Sequence, residues 1–275
     1  MNRGSLVILL GFCVLLAGCG SGSRSGAQRA EANNSSRDTV STFTLVGHAE
    51  NGRKKWEVSG ESADLLGDTV DLSPVSARSF GEVDVHLTAR KGRFNKQTQD
   101  VHLERDVVVT TSDGARLTTE TLDWSGEKGV CTTPDWITMT RPDVTVEGKG
   151  GIGTPKLKRV RVEKQVTVKF SGENGPATVT CDGPMEVDYG RKRARFWRNV
   201  QVRDAQGVIR SDRMDVILDS VTNQLERANF WGHVQVTHKS QLAFAQRANY
   251  WKNPSRTRLQ GHTRVVMLSG AELRE

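Results

Sequence analysis

The chain has 275 residues, of which 26% are charged and only 6% aromatic, a composition that excludes a helical membrane bundle and a disordered polyampholyte. Its net charge of +7 is unevenly spread: residues 1–140 hold 15 basic against 18 acidic side chains, and residues 141–275 hold 24 against 14. That asymmetry suggests an acidic partner, or else solvated strand faces with basic turns.

The N-terminus opens with Asn2-Arg3, an apolar run from Leu6 to Leu16, and then Ala17-Gly18-Cys19. A basic start, an apolar core and small residues at the end make a secretory signal over residues 1–18. The run is well short of the roughly 20 residues that a spanning helix needs. Leu16-Ala17-Gly18-Cys19 resembles a bacterial lipobox, which would make Cys19 the lipidated first residue of a membrane-tethered mature chain. The alternative is an ordinary signal peptide with an incidental cysteine. Residues 19–40 are mostly Gly, Ser, Ala, Asn, Arg and Gln, too poor in apolar surface to offset their ordering entropy, and read as a flexible linker.

From Phe43 onward the dominant period is two. Val83, Val85, Leu87 and Ala89 alternate with polar residues, and Val101, Leu103, Val107 and Val109 share one parity with Arg105 interrupting. Such alternation argues for half-buried antiparallel strands. Turn residues separate the runs at Ser112-Asp113-Gly114, Ser171–Gly175, Asp204–Gly207 and Asn253-Pro254-Ser255. The chain reads as all-β. Cys131 and Cys181 are either bridged in an oxidising compartment or small apolar strand residues.

The second half repeats itself. Residues 194–202 read ARFWRNVQV and residues 228–236 read ANFWGHVQV, six identities in nine at a step of 34. Weaker copies follow at Ala248–Trp251 with Leu259–Val265, and precede at Glu104–Val109 and Glu163–Val168. Each copy spans one hairpin, which cannot bury its apolar face alone, so copies must stack. The stacked sheet would enclose either a slot of medium aliphatic residues suited to acyl chains, or a plain packed core.

Residues 41–170 resemble the LptC family of lipopolysaccharide-export proteins. The resemblance rests on Phe43–Gly47, Gly52–Gly60 with Trp56, Leu87–Gly92, Val107–Gly114, Leu117–Trp124 and Gly148–Gly153. Residues 171–275 are similar to the OstA/LptA-type repeat. The resemblance implies an elongated twisted antiparallel β-jellyroll, built from stacked hairpins and open at both ends. Its apolar groove would bind the lipid A part of lipopolysaccharide and pass it from the inner-membrane ABC transporter toward the outer membrane. It also implies edge-strand pairing with the transporter complex and with an LptA-like bridge protein, near Thr42–Val46 and Arg258–Met267. The location implied is periplasmic; the lipobox at Cys19 would supply the anchor, expected in the inner membrane rather than the outer. Two departures stand out: Cys19 where such proteins carry an uncleaved helix, and a longer repeat region.

The groove residues expected on this reading are Phe43, Leu45, Phe80, Leu87, Val107, Val109, Phe196, Val200, Phe230 and Val234, with Trp56 either at the groove mouth or anchoring a hairpin in the core. No phosphate-binding loop, Ser/His/Asp set or carboxylate pair marks a catalytic site or a cofactor. His233, His238 and His262 lack metal-ligand spacing, and no metal is expected. Arg191–Arg195 looks like a nucleic-acid patch, but a secreted chain makes that use improbable; it is a solubilising turn or a contact for lipid phosphates. A structural β-repeat lipoprotein with a filled core and no ligand is the competing reading, and an enzyme acting on envelope glycans a distant third.

Overall fold

A computed structural model describes residues 38–48, 52–66, 68–81, 83–154, 158–172, 175–220 and 224–267. The signal segment and Cys19 lie outside them. The described chain is all-β, with nineteen antiparallel strands and no helix. Two compact units are present: one holds described residues 38–113 and 118–133, the other residues 114–117 and 134–267.

In the N-terminal unit, β1 (Asp38–His48) and β2 (Lys54–Leu66) form a hairpin in which Leu45 faces Val58 and Phe43 faces Gly60. The first strand thus starts at Asp38, inside the stretch read as linker. Long strands then alternate with pairs of short ones. Strand β2 pairs with both β3 (Thr69–Ser73) and β4 (Val75–Ser79). These pair with β6 (Lys91–Asn95) and β5 (Val85–Ala89), and both of the latter lie against β7 (Val101–Thr111). Strands β8 (Arg116–Ser125) and β9 (Val130–Arg141) contribute residues to both units.

The C-terminal unit begins with β10 (Val144–Thr154) and β11 (Arg159–Gly172). Strand β11 pairs with β12 (Gly175–Cys181) and β13 (Met185–Asp188), and both pair with β14 (Arg193–Arg203). Then come β15 (Gly207–Leu218), β16 (Leu225–His238) and β17 (Gln241–Trp251), which faces β18 (Arg256–Gln260) and β19 (Arg264–Met267). The turns expected at Asp204–Gly207 and Asn253–Ser255 connect strands where the sequence placed them.

The repeated phrase is a bulge. In β14 the register slips between Trp197 and Val200, and Arg198 and Asn199 both take positive φ, 65° and 51°. In β16 it slips between Trp231 and Val234, at Gly232 and His233 with φ of 74° and 44°. Arg105 and Asp106 do the same in β7, and Gly261 and His262 between β18 and β19. One extra residue bends a strand and tightens its twist, so a bulge placed before each Val-x-Val kinks every hairpin at the same level. At four of these kinks a polar pair ties the bulge to the adjacent segment. Arg90 meets Asp106 at 2.5 Å, Asn199 donates to Asp182 at 2.6 Å, His233 meets Asp212 at 2.8 Å and Gln246 meets His262 at 3.1 Å. Arg105, which interrupts the alternation in sequence, is therefore the bulge residue. Cys181 is a free, buried thiol, so it is not bridged to Cys131.

Candidate functional site

Strand register converts the alternation into continuous apolar rows. In the C-terminal unit Val162 faces Met185, and the line runs on through Phe196, Met214, Phe230, Ala248 and Leu259. Every member from Val162 to Ala248 is buried, and Leu259 is half-buried. This row is filled, and burying each such side chain contributes about 1.5–3 kcal/mol.

A second row on the same face lies beyond the bulges. Val146 faces Val168, followed by Val179, Val202, Ile209, Val236, Ala243 and Val265. Val168 and Val179 are buried, Val202 to Ala243 are half-buried, and Val265 is 59% exposed. The row thus opens steadily toward the last strand, where Met267 is 66% exposed. Val200 and Val234, each 1% exposed, sit just after the bulges opposite Ser211 and Ala245.

The N-terminal unit repeats this arrangement at its own first strand. Val109, Leu87 and Ala77 are buried, their partner Val58 is half-buried, and Leu45 at the end of the row is 55% exposed. A parallel row from Leu103 through Gly92, Leu72 and Ala63 ends at exposed Val40.

The residues expected to line a groove therefore fall into two groups. Phe196, Val200, Phe230 and Val234 are buried in the C-terminal unit; Leu87, Val107 and Val109 are buried in the N-terminal unit. Phe43, Trp56 and Phe80 are half-buried there, and Leu45 is exposed. The indole of Trp56 lies over Gly47, where any Cβ would sit 2.2 Å from the ring. The ammonium of Lys54 lies 5.7 Å from the Phe80 ring centroid. Met185 and Met214, which flank Phe196 across the sheet, carry much of the wall but were missed; the register of the Phe-Trp phrase is the signal that finds them. An open cavity of about 400 Å³ in this unit is lined chiefly by polar side chains, among them Glu147, Gln165, Thr167, Thr180, Asp182 and Asn199 beside Trp136, and does not resemble an acyl-chain site.

The basic segment at the start of β14 is tied down. Arg193 and Arg213 both donate to Asp215, a fully buried carboxylate, Arg213 Nε at 3.1 Å. Arg159 donates to Asp188 at 3.0 Å; burial opposes ionisation of that carboxyl, but backbone donation from Arg191, the Arg159 hydrogen bond and the charges of both arginines together hold it below its usual range. Among the described residues no group of three or more His, Cys, Asp or Glu side chains could hold a metal ion.

The profile of the LptC-related lipopolysaccharide-assembly family matches residues 6–171, well over half of the chain. The chain belongs to that family. Residues 178–272 match a second profile, that of the LptA/(LptD N-terminal domain) lipopolysaccharide-transport proteins. No curated protein matches the sequence significantly. Membership assigns the chain to lipopolysaccharide transport in the periplasm, among families of carrier and bridge proteins, with lipopolysaccharide and the other components of that machinery as its partners. The boundary between the two matches, at residues 171–178, lies in a different place from the division into compact units.

Proposed function

We propose that this LptC-related protein binds the lipid A part of lipopolysaccharide along its apolar rows and passes it from the inner-membrane ABC transporter toward the outer membrane. The observation that carries this reading is the way the rows end. In each unit an apolar row is buried at its root and emerges into solvent at a terminal strand, at Val40 and Leu45 on β1 and at Val265 and Met267 on β19. A self-contained scaffold with a filled core would cover these residues, since exposed apolar strand ends invite pairing with another chain. The same ends suit addition of a partner strand, with backbone hydrogen bonds supplying affinity and matched rows continuing the apolar path. The transporter complex would then meet one end and an LptA-like protein the other. Cys19 would carry the lipid that holds the chain at the inner membrane.

The competing scaffold reading keeps the buried row through Phe196 and Phe230 in its favour. A photo-crosslinking residue at Ile209, half-buried in the opening row, and a control at exposed Arg203 separate the two. Lipopolysaccharide captured at position 209 and not at 203 supports the path; no capture at 209 in a folded protein removes it.

A further inference from the structure

The outer side of the C-terminal hairpins carries a different chemistry from the inner side. Cross-strand register sets Trp197 against Arg213, Arg213 against Trp231 and Trp231 against Arg247. The Arg213 guanidinium lies 5.7 Å from one indole centroid and 5.2 Å from the other, so it is held between two tryptophans. The neighbouring row contains Arg195, Asp215 and Arg258, and the next contains Arg193, Arg227, Trp251 and Arg256. Arg256 stacks on Trp251 at 4.8 Å.

Across these rows seven arginines meet only three carboxylates, those of Glu186, Asp188 and Asp215. The excess is not relieved internally. Burial, and then repulsion from Arg195, Arg213 and Arg191, pushes the Arg193 guanidinium down from its ordinary value. Among the described residues the buried Nε atoms of Arg193 and Arg227 find no acceptor. A scaffold that clusters like charges loses stability through their repulsion, which points to an anion supplied from outside.

We propose that this arginine–tryptophan face docks the C-terminal unit onto an anionic phospholipid surface. Three features favour a lipid surface over a protein partner. The cations are spread over rows of several strands, matching many phosphates rather than one. Guanidinium edges chelate phosphate oxygens while their faces remain stacked on the rings. Indole, apolar in body with one polar edge, favours the boundary between headgroups and acyl chains. The face lies opposite the apolar rows, so the inference stands whether or not those rows carry lipid.

The test compares full-length protein bound to phosphatidylcholine vesicles with that bound to vesicles containing phosphatidylglycerol. An apolar N-terminal run partitions into both, so the readout is the ratio between them. The variant is Arg247→Ser/Arg256→Ser/Arg258→Ser, which leaves the Asp215 and Asp188 ion pairs intact. Each basic residue near an anionic surface contributes roughly fivefold in affinity, so the ratio is expected to fall on the order of a hundredfold in the triple variant and to collapse at high salt. Brominated phosphatidylglycerol should quench tryptophan fluorescence in the parent protein and less in the variant. Should the triple variant misfold, single Arg258→Glu takes its place. An unchanged ratio in a folded variant overturns the proposal, as does full competition by soluble glycerol phosphate, which would assign the face to free phosphate esters.

Discussion

Replacing Gly232 with alanine tests the bulge on which the repeat is built. Gly232 has φ of 74°, and an added Cβ would lie 2.1 Å from Asp212 Oδ2 and 3.0 Å from Asp212 Cβ. Two costs follow. The left-handed conformation disfavours a side chain by about 1–2 kcal/mol. Asp212 must also swing away, giving up its contact with His233; that exposed pair contributes at most about 1 kcal/mol. The expected loss is therefore about 2 kcal/mol. Urea unfolding followed by tryptophan fluorescence measures it, because Trp197, Trp231 and Trp251 all report on this unit. In Asp212→Ala/Gly232→Ala the steric part disappears, and the step from Asp212→Ala to the double variant should cost only the conformational 1–2 kcal/mol. Arg198→Gly, at the equivalent position of the preceding copy, should stabilise or be neutral, since arginine there already bears the strain. If Gly232→Ala changes stability by less than about 0.5 kcal/mol, the value ordinary for surface substitutions, the left-handed bulge is not what the repeated phrase encodes.

Other expectations follow from named contacts. Val234→Asp places a charge at a site 1% exposed and should cost several kcal/mol and unfold the unit, whereas Val236→Asp, at a half-buried position, should remain folded in a thermal melt and lose lipopolysaccharide capture. The imidazole of His102 bonds Asp123 at 2.5 Å and Glu104 at 2.9 Å, with Arg93 across the strand, and its pKa is raised chiefly by the Asp123 hydrogen bond. Its stabilising contribution is therefore complete below the unfolded value of about 6.5 and is lost as pH rises through the higher folded value. Urea midpoints of the parent should fall toward those of His102→Gln across that window, and a constant gap between the two would refute the assignment. Burial pushes the Cys181 thiol up to about 11, so it should resist alkylation at neutral pH in the native protein and react once urea unfolds it; native labelling would contradict the buried placement.

The fold was legible where a single parity survives along a strand. Leu87 and Val107 keep the apolar parity of their strands, Phe196 and Phe230 hold the same place in the repeated phrase, and all four are buried. The bulges are harder to see because arginine carries no mark of positive φ and asparagine and histidine only a weak one; the coincidence of copies is what reveals them. In β15 the inward side changes parity, from Ile209 and Ser211 to Met214 and Val216, so strict alternation misplaces half of that strand. Exposure at strand ends was illegible for another reason. Leu45 and Leu87 have the same local pattern, and what separates them is whether a further strand lies alongside, which is a property of neighbours distant in sequence.

The kink repeated in successive hairpins also bears on how such a chain can vary in length. Each copy brings its own bulge, its own cross-strand polar pair and its own contribution to both apolar rows, and none depends on a residue more than about two strands away. A duplicated hairpin could enter at the Lys239–Ser240 turn between β16 and β17, and its neighbours would meet the same register they meet now. Cost and gain would both be local, as expected where stability is a sum over adjacent repeats. Reach thus becomes a quantity that evolution or an engineer can adjust in increments of one hairpin, with the chemistry of the two faces carried along unchanged.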